Sequence, residues 1–201
     1  MTQNPLPQLV TIAKLYSDAL GKNQISELSQ ITSLYLVDCL ENASYGFDQY
    51  LKERAEFQSR VQIIGEICSA LENGDQADVG RHQDAMHSAG FASVYHVRAV
   101  YGELWNASEN ARVDLSGAAL PELKGFKPRS VTLVRNQLIV HQRPVPISKK
   151  NLYLGRDGND GYALFPDRDL DGKGNFDNGI FVNVQEYVDD LKERMLKYLK
   201  P

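Results

Sequence analysis

The sequence has little of what marks a membrane protein or a disulfide-bonded scaffold. Its 201 residues include two cysteines and one tryptophan, and no apolar run approaches the ~20 residues that a membrane-spanning helix needs. Cys39 and Cys68 lie in helical patterns without a CxxC partner, so we expect small buried thiols rather than a bridge or a zinc site. Residues 1–5 lack the basic and apolar regions of a secretory signal. These absences predict a cytoplasmic protein.

Motifs of the common enzyme classes are also absent. The chain has no P-loop, GxSxG, HExxH or dinucleotide-binding pattern, which makes an enzyme the less favoured class. A metal-assisted hydrolase, with a site between two parts of the chain and using His141, Asp157 or Asp160, stays open as an alternative. Among His82, Asp84, His87 and His96, the spacing of Asp84 and His87 would allow a shared metal ion, but that of His82 and His87 would not. No fourth residue stands at ligand spacing nearby, so we expect surface or interhelical hydrogen bonds there.

The first half of the chain has helical periodicity. Apolar residues recur at intervals of three and four and predict helices over residues 6–20, 26–40, 47–71 and 77–105. We expect residues 42–46 to break the second helix from the third, and Gly90 can interrupt the fourth. The second helix carries its apolar residues at Leu28, Ile31, Leu34, Tyr35 and Val37. Short connections between these helices predict an antiparallel bundle.

The second half favours strands. Residues 111–128, rich in glycine and proline, are assigned to a linker between a helical domain, 1–110, and a smaller domain, 129–201. A hairpin is predicted over residues 130–140, followed by strands and a last helix that begins after Asn183. Further strands are predicted at 151–154, 162–165 and 180–182. The predicted class is α+β: an N-terminal antiparallel helical bundle, then a small antiparallel β-sheet covered by a C-terminal helix.

Charge is distributed unevenly along the chain. Residues 124–156 contain eight basic side chains and no acidic one, whereas the net charge of the chain is −4. The basic residues are Lys124, Lys127, Arg129, Arg135, Arg143, Lys149, Lys150 and Arg156. Such a block suits a polyanion, either nucleic acid or an acidic partner, but it also suits packing against the acidic residues that follow.

A second charged stretch, residues 167–178, has the residue types of a cation-binding loop. Carboxylates alternate at Asp167, Asp169 and Asp171, and Gly172 permits the sharp bend that follows. The stretch resembles an EF-hand calcium loop, which implies oxygen ligands from the Lys173 carbonyl and from Asn175.

Two features depart from that family. Asn178 occupies the position of the bidentate glutamate, with Asp177 one residue early, and the flanking segments have strand rather than helix patterns. We therefore predict a modest calcium site between strands, with an acidic turn as the alternative. The favoured function is a non-enzymatic interaction or structural protein, whose helical part binds another protein and whose loop is stabilised by calcium.

Overall fold

The computed structural model describes the helical regions of the chain most fully. The described residues are 4–23, 25–70, 76–112, 120–126, 128, 131–132, 135, 146–147, 150–156, 162–166, 180–182 and 184–200. In the strands, and at a few helical positions, only the backbone is described.

Helices account for most of the described backbone. They are α1 (Leu6–Lys22), α2 (Glu27–Ala70), α3 (Gln76–Arg112) and α4 (Val184–Leu199), and a 3₁₀ turn spans Pro121–Leu123. Before α1, the side-chain oxygen of Asn4 accepts a hydrogen bond from the Leu6 N–H at 3.0 Å. Before α2, the Ser26 hydroxyl oxygen accepts one from the Ser29 N–H at 3.2 Å. These contacts satisfy N–H groups that the first helical turn leaves unpaired.

The predicted break at residues 42–46 does not occur, because α2 is one helix of 44 residues. A Cβ atom built on Gly46 would lie 3.2 Å from Cγ2 of Val100, so the missing side chain permits close approach to α3. Glycine costs a helix about 1 kcal/mol relative to alanine. Packing of this kind offsets that cost, and local propensity alone gives the wrong boundary.

The α3 helix is also longer than predicted. It passes through Gly90, where a Cβ would meet the Phe57 ring at 3.5 Å, an ordinary contact distance. It then continues to Arg112, seven residues beyond the predicted end at 105, and buries Ala107, Ser108 and Ala111. These small residues lie beyond the predicted end of the helix, yet they are helical and pack in the core.

Four short strands are described between the 3₁₀ turn and α4. They are β1 (Pro146–Ile147), β2 (Lys150–Arg156), β3 (Tyr162–Pro166) and β4 (Ile180–Val182), paired antiparallel in that order. The last three fall where the sequence predicts strands. The hairpin predicted over 130–140 is wrong where it is described, since Val131, Thr132 and Arg135 have helical backbone. The Thr132 N–H bonds the Pro128 carbonyl oxygen, four residues back, at 3.0 Å.

The α4 helix packs against α1 and the 3₁₀ turn. The Tyr16 and Tyr198 rings meet edge-on with centroids 5.2 Å apart, and the Tyr16 hydroxyl donates to Glu122 at 2.8 Å. Leu191 and Met195 of α4 are fully buried.

The predicted α+β class, with a sheet covered by the C-terminal helix, is therefore wrong. Among the described side chains, the buried apolar residues lie in helical segments or in the turn at residues 120–126. The period of α4 indicates a buried face but not which surface buries it. In the described structure that surface is α1 and the 3₁₀ turn. The protein is a helical protein, and the bundle part of the prediction fits it.

Contacts divide the chain into two compact units. One combines Met1–Ser44 with Tyr101–Pro201, and the other is Tyr45–Val100. In the second unit the helical segments run antiparallel, since Gly46 lies near Val100 while Arg60 Nη1 lies 3.0 Å from Nδ1 of His82. His82 therefore makes an interhelical hydrogen bond of the predicted kind. The predicted boundaries at 110 and 128 stay a prediction.

Candidate protein-binding surface

The first part of α2 has large apolar side chains on two opposite sides. Leu36 and Leu40 are fully buried. The α2 apolar face, defined by four exposed residues, comprises Leu28 (41% exposed), Ile31 (42%), Leu34 (58%) and Tyr35 (58%). Spacings of three, four and seven put these four on one side of the helix. All but one of the apolar residues that the sequence analysis assigns to this helix are thus exposed, Val37 being the exception.

Small residues explain which side is buried. Ser29 and Ser33 are buried, and the Ser33 hydroxyl lies 2.7 Å from Ser17 Oγ of α1 and donates to the Gln30 carbonyl oxygen at 2.7 Å. With its hydroxyl satisfied, a serine can be buried at little cost and lets α1 and α2 approach closely. The larger apolar residues then lie on the opposite side, where nothing described covers them.

A shallow groove adjoins this face. It has a volume of about 350 Å³ and is lined by Ser17, Asp18, Gly21, Lys22, Gln30 and Leu34. Leu34 belongs to both the groove and the face. A ligand that covers the face can therefore extend one side chain into the space between α1 and α2.

The charged side chains at the two ends of the α2 apolar face are acidic. Glu27 and Asp38 are exposed, and their spacing from Ile31 and Leu34 puts one carboxylate at each end of the apolar row. No lysine or arginine occurs between residues 23 and 51. Glu41 pairs with Lys14 of α1, whereas within the described part of the chain Glu27 and Asp38 form no ion pair.

A buried polar cluster joins α3 to α4 in the same unit. The Tyr187 hydroxyl donates to the Leu104 carbonyl oxygen at 2.8 Å, and Ser108 Oγ lies 3.1 Å from the Tyr187 oxygen. Burial, the largest cause, raises the pKa of Tyr187 above its usual range. This cluster has no local signal in the sequence, because Ser108 and Tyr187 are 79 positions apart. Its groups hydrogen-bond each other, so we assign it a structural role.

A cysteine thiol, Cys39, lies near this cluster. Its thiol sulfur lies 3.7 Å from the Asn110 side-chain nitrogen. Burial, followed by the nearby Glu103 carboxylate, raises the pKa of Cys39 to about 12. A thiol held protonated in this way is a poor nucleophile. Cys39 is half-buried as a free thiol, while the expectation of a buried Cys68 is wrong, since Cys68 is exposed.

The predicted calcium loop lies outside the described residues. Its proposed ligands are Asp167, Asp169, Asp171, Lys173, Asn175, Asp177 and Asn178. Where side chains are described, no group of three or more His, Cys, Asp and Glu residues could hold a metal ion. The classification of the protein as calcium-binding is therefore corrected, since the described structure gives it no support. The loop itself stays a sequence prediction.

The basic block is described at two side chains. Lys124 is exposed, and the Arg135 guanidinium stacks on the Trp105 ring, 4.0 Å from its centroid. Arg135 therefore contributes to internal packing. For Lys150 and Arg156 only strand backbone is described, and Lys127, Arg129, Arg143 and Lys149 lie outside the described residues, as do His141, Asp157 and Asp160 of the hydrolase alternative.

Two wider findings bear on the class of protein. In the parts that the structure describes, no helix is both long and apolar enough to span a membrane. The chain matches no family model, no curated protein and no solved structure.

Proposed function

We propose that the protein is a non-catalytic interaction protein that binds another protein through the α2 apolar face. The observation that supports this most is the row of four large apolar side chains, each 41–58% exposed, on the side of α2 opposite its buried residues. Fully burying an exposed side chain of this size contributes about 1.5–3 kcal/mol, and covering these half-exposed side chains would contribute roughly half of that each. Four in a row form the kind of contiguous apolar patch that marks binding surfaces.

The polar residues nearby support the same function. An exposed apolar row bordered by carboxylates remains soluble when free and can still exclude water when covered. The groove beside Leu34 offers a concave place for a partner side chain, and anchor residues in such pockets dominate binding energy in protein interfaces.

Site-specific photo-crosslinking of the full chain, in the cell that makes it, tests the proposal. A photo-crosslinking amino acid in place of Tyr35 should give a defined crosslinked protein, identified by mass spectrometry. The same amino acid in place of Val61 is the matched control, since Val61 is an exposed apolar residue (46%) 26 positions further along α2.

Two outcomes decide the matter. We expect a crosslink from position 35 and none from position 61. The crosslink should disappear in the Leu28→Ser/Leu34→Ser variant, whose helical circular dichroism should equal that of the parent. Equal crosslinking from positions 35 and 61, or none from position 35, would contradict it.

A further inference from the structure

The exposed carboxylates at the two ends of the α2 apolar face restrict the chemistry of what can cover it. We infer that the partner is a basic amphipathic helix: a segment with an apolar stripe and lysine or arginine near both ends of that stripe. This inference rests on the proposed function, because it names the partner class of the same surface.

Helical geometry sets the size of the partner segment. Glu27 and Asp38 are eleven residues apart, or about 16 Å along α2 at 1.5 Å per residue. An amphipathic helix of three to four turns covers that length, and its own residues at i, i+3, i+4 and i+7 can contact Leu28, Ile31, Leu34 and Tyr35. One of its side chains would enter the groove between α1 and α2 beside Leu34.

The carboxylates beside the α2 apolar face favour a basic partner helix over an acidic one. Residues 23–51 carry four acidic side chains and no lysine or arginine. Glu41 pairs with Lys14 of α1, so the carboxylates that flank the α2 apolar face without a cationic neighbour on α2 are those of Glu27 and Asp38. Glu27 and Asp38 would each meet a cationic side chain of the partner. The groove adds no net charge to this argument, because both Asp18 and Lys22 line it. An acidic helix would place like charges opposite one another, which costs affinity.

The same charges argue against a second copy of this chain as the occupant. A two-fold axis pairs identical surfaces. If two α2 helices pack antiparallel, Glu27 of one copy faces Asp38 of the other. If they pack parallel, each carboxylate faces its own equivalent. Both arrangements oppose like charges at the ends of a contact whose centre is apolar.

Designed peptides test the inference on the full-length protein. The probe is an 18-residue helical peptide with leucine at i, i+3, i+4, i+7 and i+11, lysine flanking the stripe and alanine elsewhere. The control, called the glutamate twin below, is the same peptide with glutamate in place of every lysine. Fluorescence anisotropy at low salt should show the lysine peptide binding about tenfold or more tightly than its twin, and weakening as salt rises.

Protein variants locate the binding. Ile31→Ser/Leu34→Ser should weaken binding of the lysine peptide about tenfold or more, because it removes the apolar contact. Glu27→Gln/Asp38→Asn should weaken it several-fold and reduce the dependence on salt. Val61→Ser, the matched control, should bind as the parent does.

The possible failures are distinguishable. If the glutamate twin binds equally well and both peptides lose affinity with Ile31→Ser/Leu34→Ser, the charge inference is wrong and the docking surface stands. If the lysine peptide does not bind, or binds Ile31→Ser/Leu34→Ser with the affinity it has for the parent, the inference is also wrong. The proposed function is then tested separately, by the crosslinking yield from position 35. A dimer of the free protein in sedimentation, lost in the same variant, would make a second copy the occupant and overturn the inference.

Discussion

Leu34 and Leu36, two residues apart on α2, have opposite environments: Leu34 is 58% exposed and Leu36 is fully buried. Two residues correspond to about 200° of helix rotation, so the pair marks the two sides of α2. Leu36→Ala should destabilise the protein by about 2–5 kcal/mol, because it leaves a cavity in the core. Leu34→Ser should change stability by no more than about 0.5 kcal/mol.

Urea denaturation followed by circular dichroism measures both variants. A loss of several kcal/mol in Leu34→Ser would mean that Leu34 is packed, and would remove the exposed face on which the proposed function depends.

Alkaline pH should unfold the protein through its buried tyrosines. Burial raises the pKa of Tyr187, and burial together with the Glu122 contact raises that of Tyr16. In the unfolded chain a tyrosine ionises near pH 10. Because the folded-state pKa values are the higher ones, the stability that these groups contribute is fully present below about pH 10 and is lost as pH rises further.

Absorbance of tyrosinate at 295 nm, recorded with circular dichroism, checks this expectation. Tyr16 and Tyr187 should titrate only as the helices melt. In Tyr187→Phe the loss of stability with rising pH should be smaller, and its neutral-pH stability should fall by about 1 kcal/mol for the lost hydrogen bond. Full titration of all tyrosines in a helical protein would contradict the account.

The two cysteines should differ in reactivity. Cys68 is exposed, whereas the pKa of Cys39 is raised to about 12 by burial and by Glu103. At pH 8 only about one Cys39 thiol in ten thousand would be ionised. Reaction with a chromogenic disulfide should therefore show one fast thiol and one very slow thiol. Cys68→Ser should abolish the fast phase, and a fast phase that persists would refute the assignment.

Glycines in α2 should respond to substitution in opposite ways. A Cβ on Gly65 would meet nothing within 4 Å, so Gly65→Ala should stabilise the protein by about 0.5–1 kcal/mol through helix propensity. Gly46→Leu should destabilise it, because a Cβ at that position would already lie 3.2 Å from Cγ2 of Val100 and the longer side chain has no room. Thermal unfolding gives the change in Tm of each variant relative to the parent. Equal stabilisation by both substitutions would show that α2 and α3 are not in close contact at Gly46.

The calcium loop predicted from the sequence has a direct test. If calcium binds among Asp167, Asp169 and Asp171, millimolar calcium should raise Tm relative to chelator, since a ligand that binds only the folded state stabilises it. Asp169→Asn should remove most of that rise. An unchanged Tm would eliminate the metal from any description of this protein.

Periodicity in the sequence predicts the helices well and their environments poorly. Leu28, Ile31 and Leu34 have helical spacing and lie on one side of α2, as predicted. That spacing cannot tell whether the side is buried, and a second row, which includes Leu36 and Leu40, occupies the core. The buried side of α2 carries Ser29 and Ser33. Serines are not expected in a core from sequence alone, because the hydrogen bonds that satisfy their hydroxyl groups are visible only in the structure.

Longer-range contacts account for the remaining errors. The break expected near Gly46 fails because Val100, 54 residues away, packs against it. The sequence predicts that the C-terminal helix covers a sheet, whereas Tyr198 packs on Tyr16, near the other end of the chain. Neither contact has a signature in local sequence.

The most direct test of the α2 apolar face as a docking surface is the crosslinking yield from position 35 relative to position 61, measured in the cell that makes the protein. The account predicts one identified protein crosslinked at position 35, absent at position 61 and lost in Leu28→Ser/Leu34→Ser. Equal yields at the two positions, or a crosslink unaffected by that variant, would contradict it.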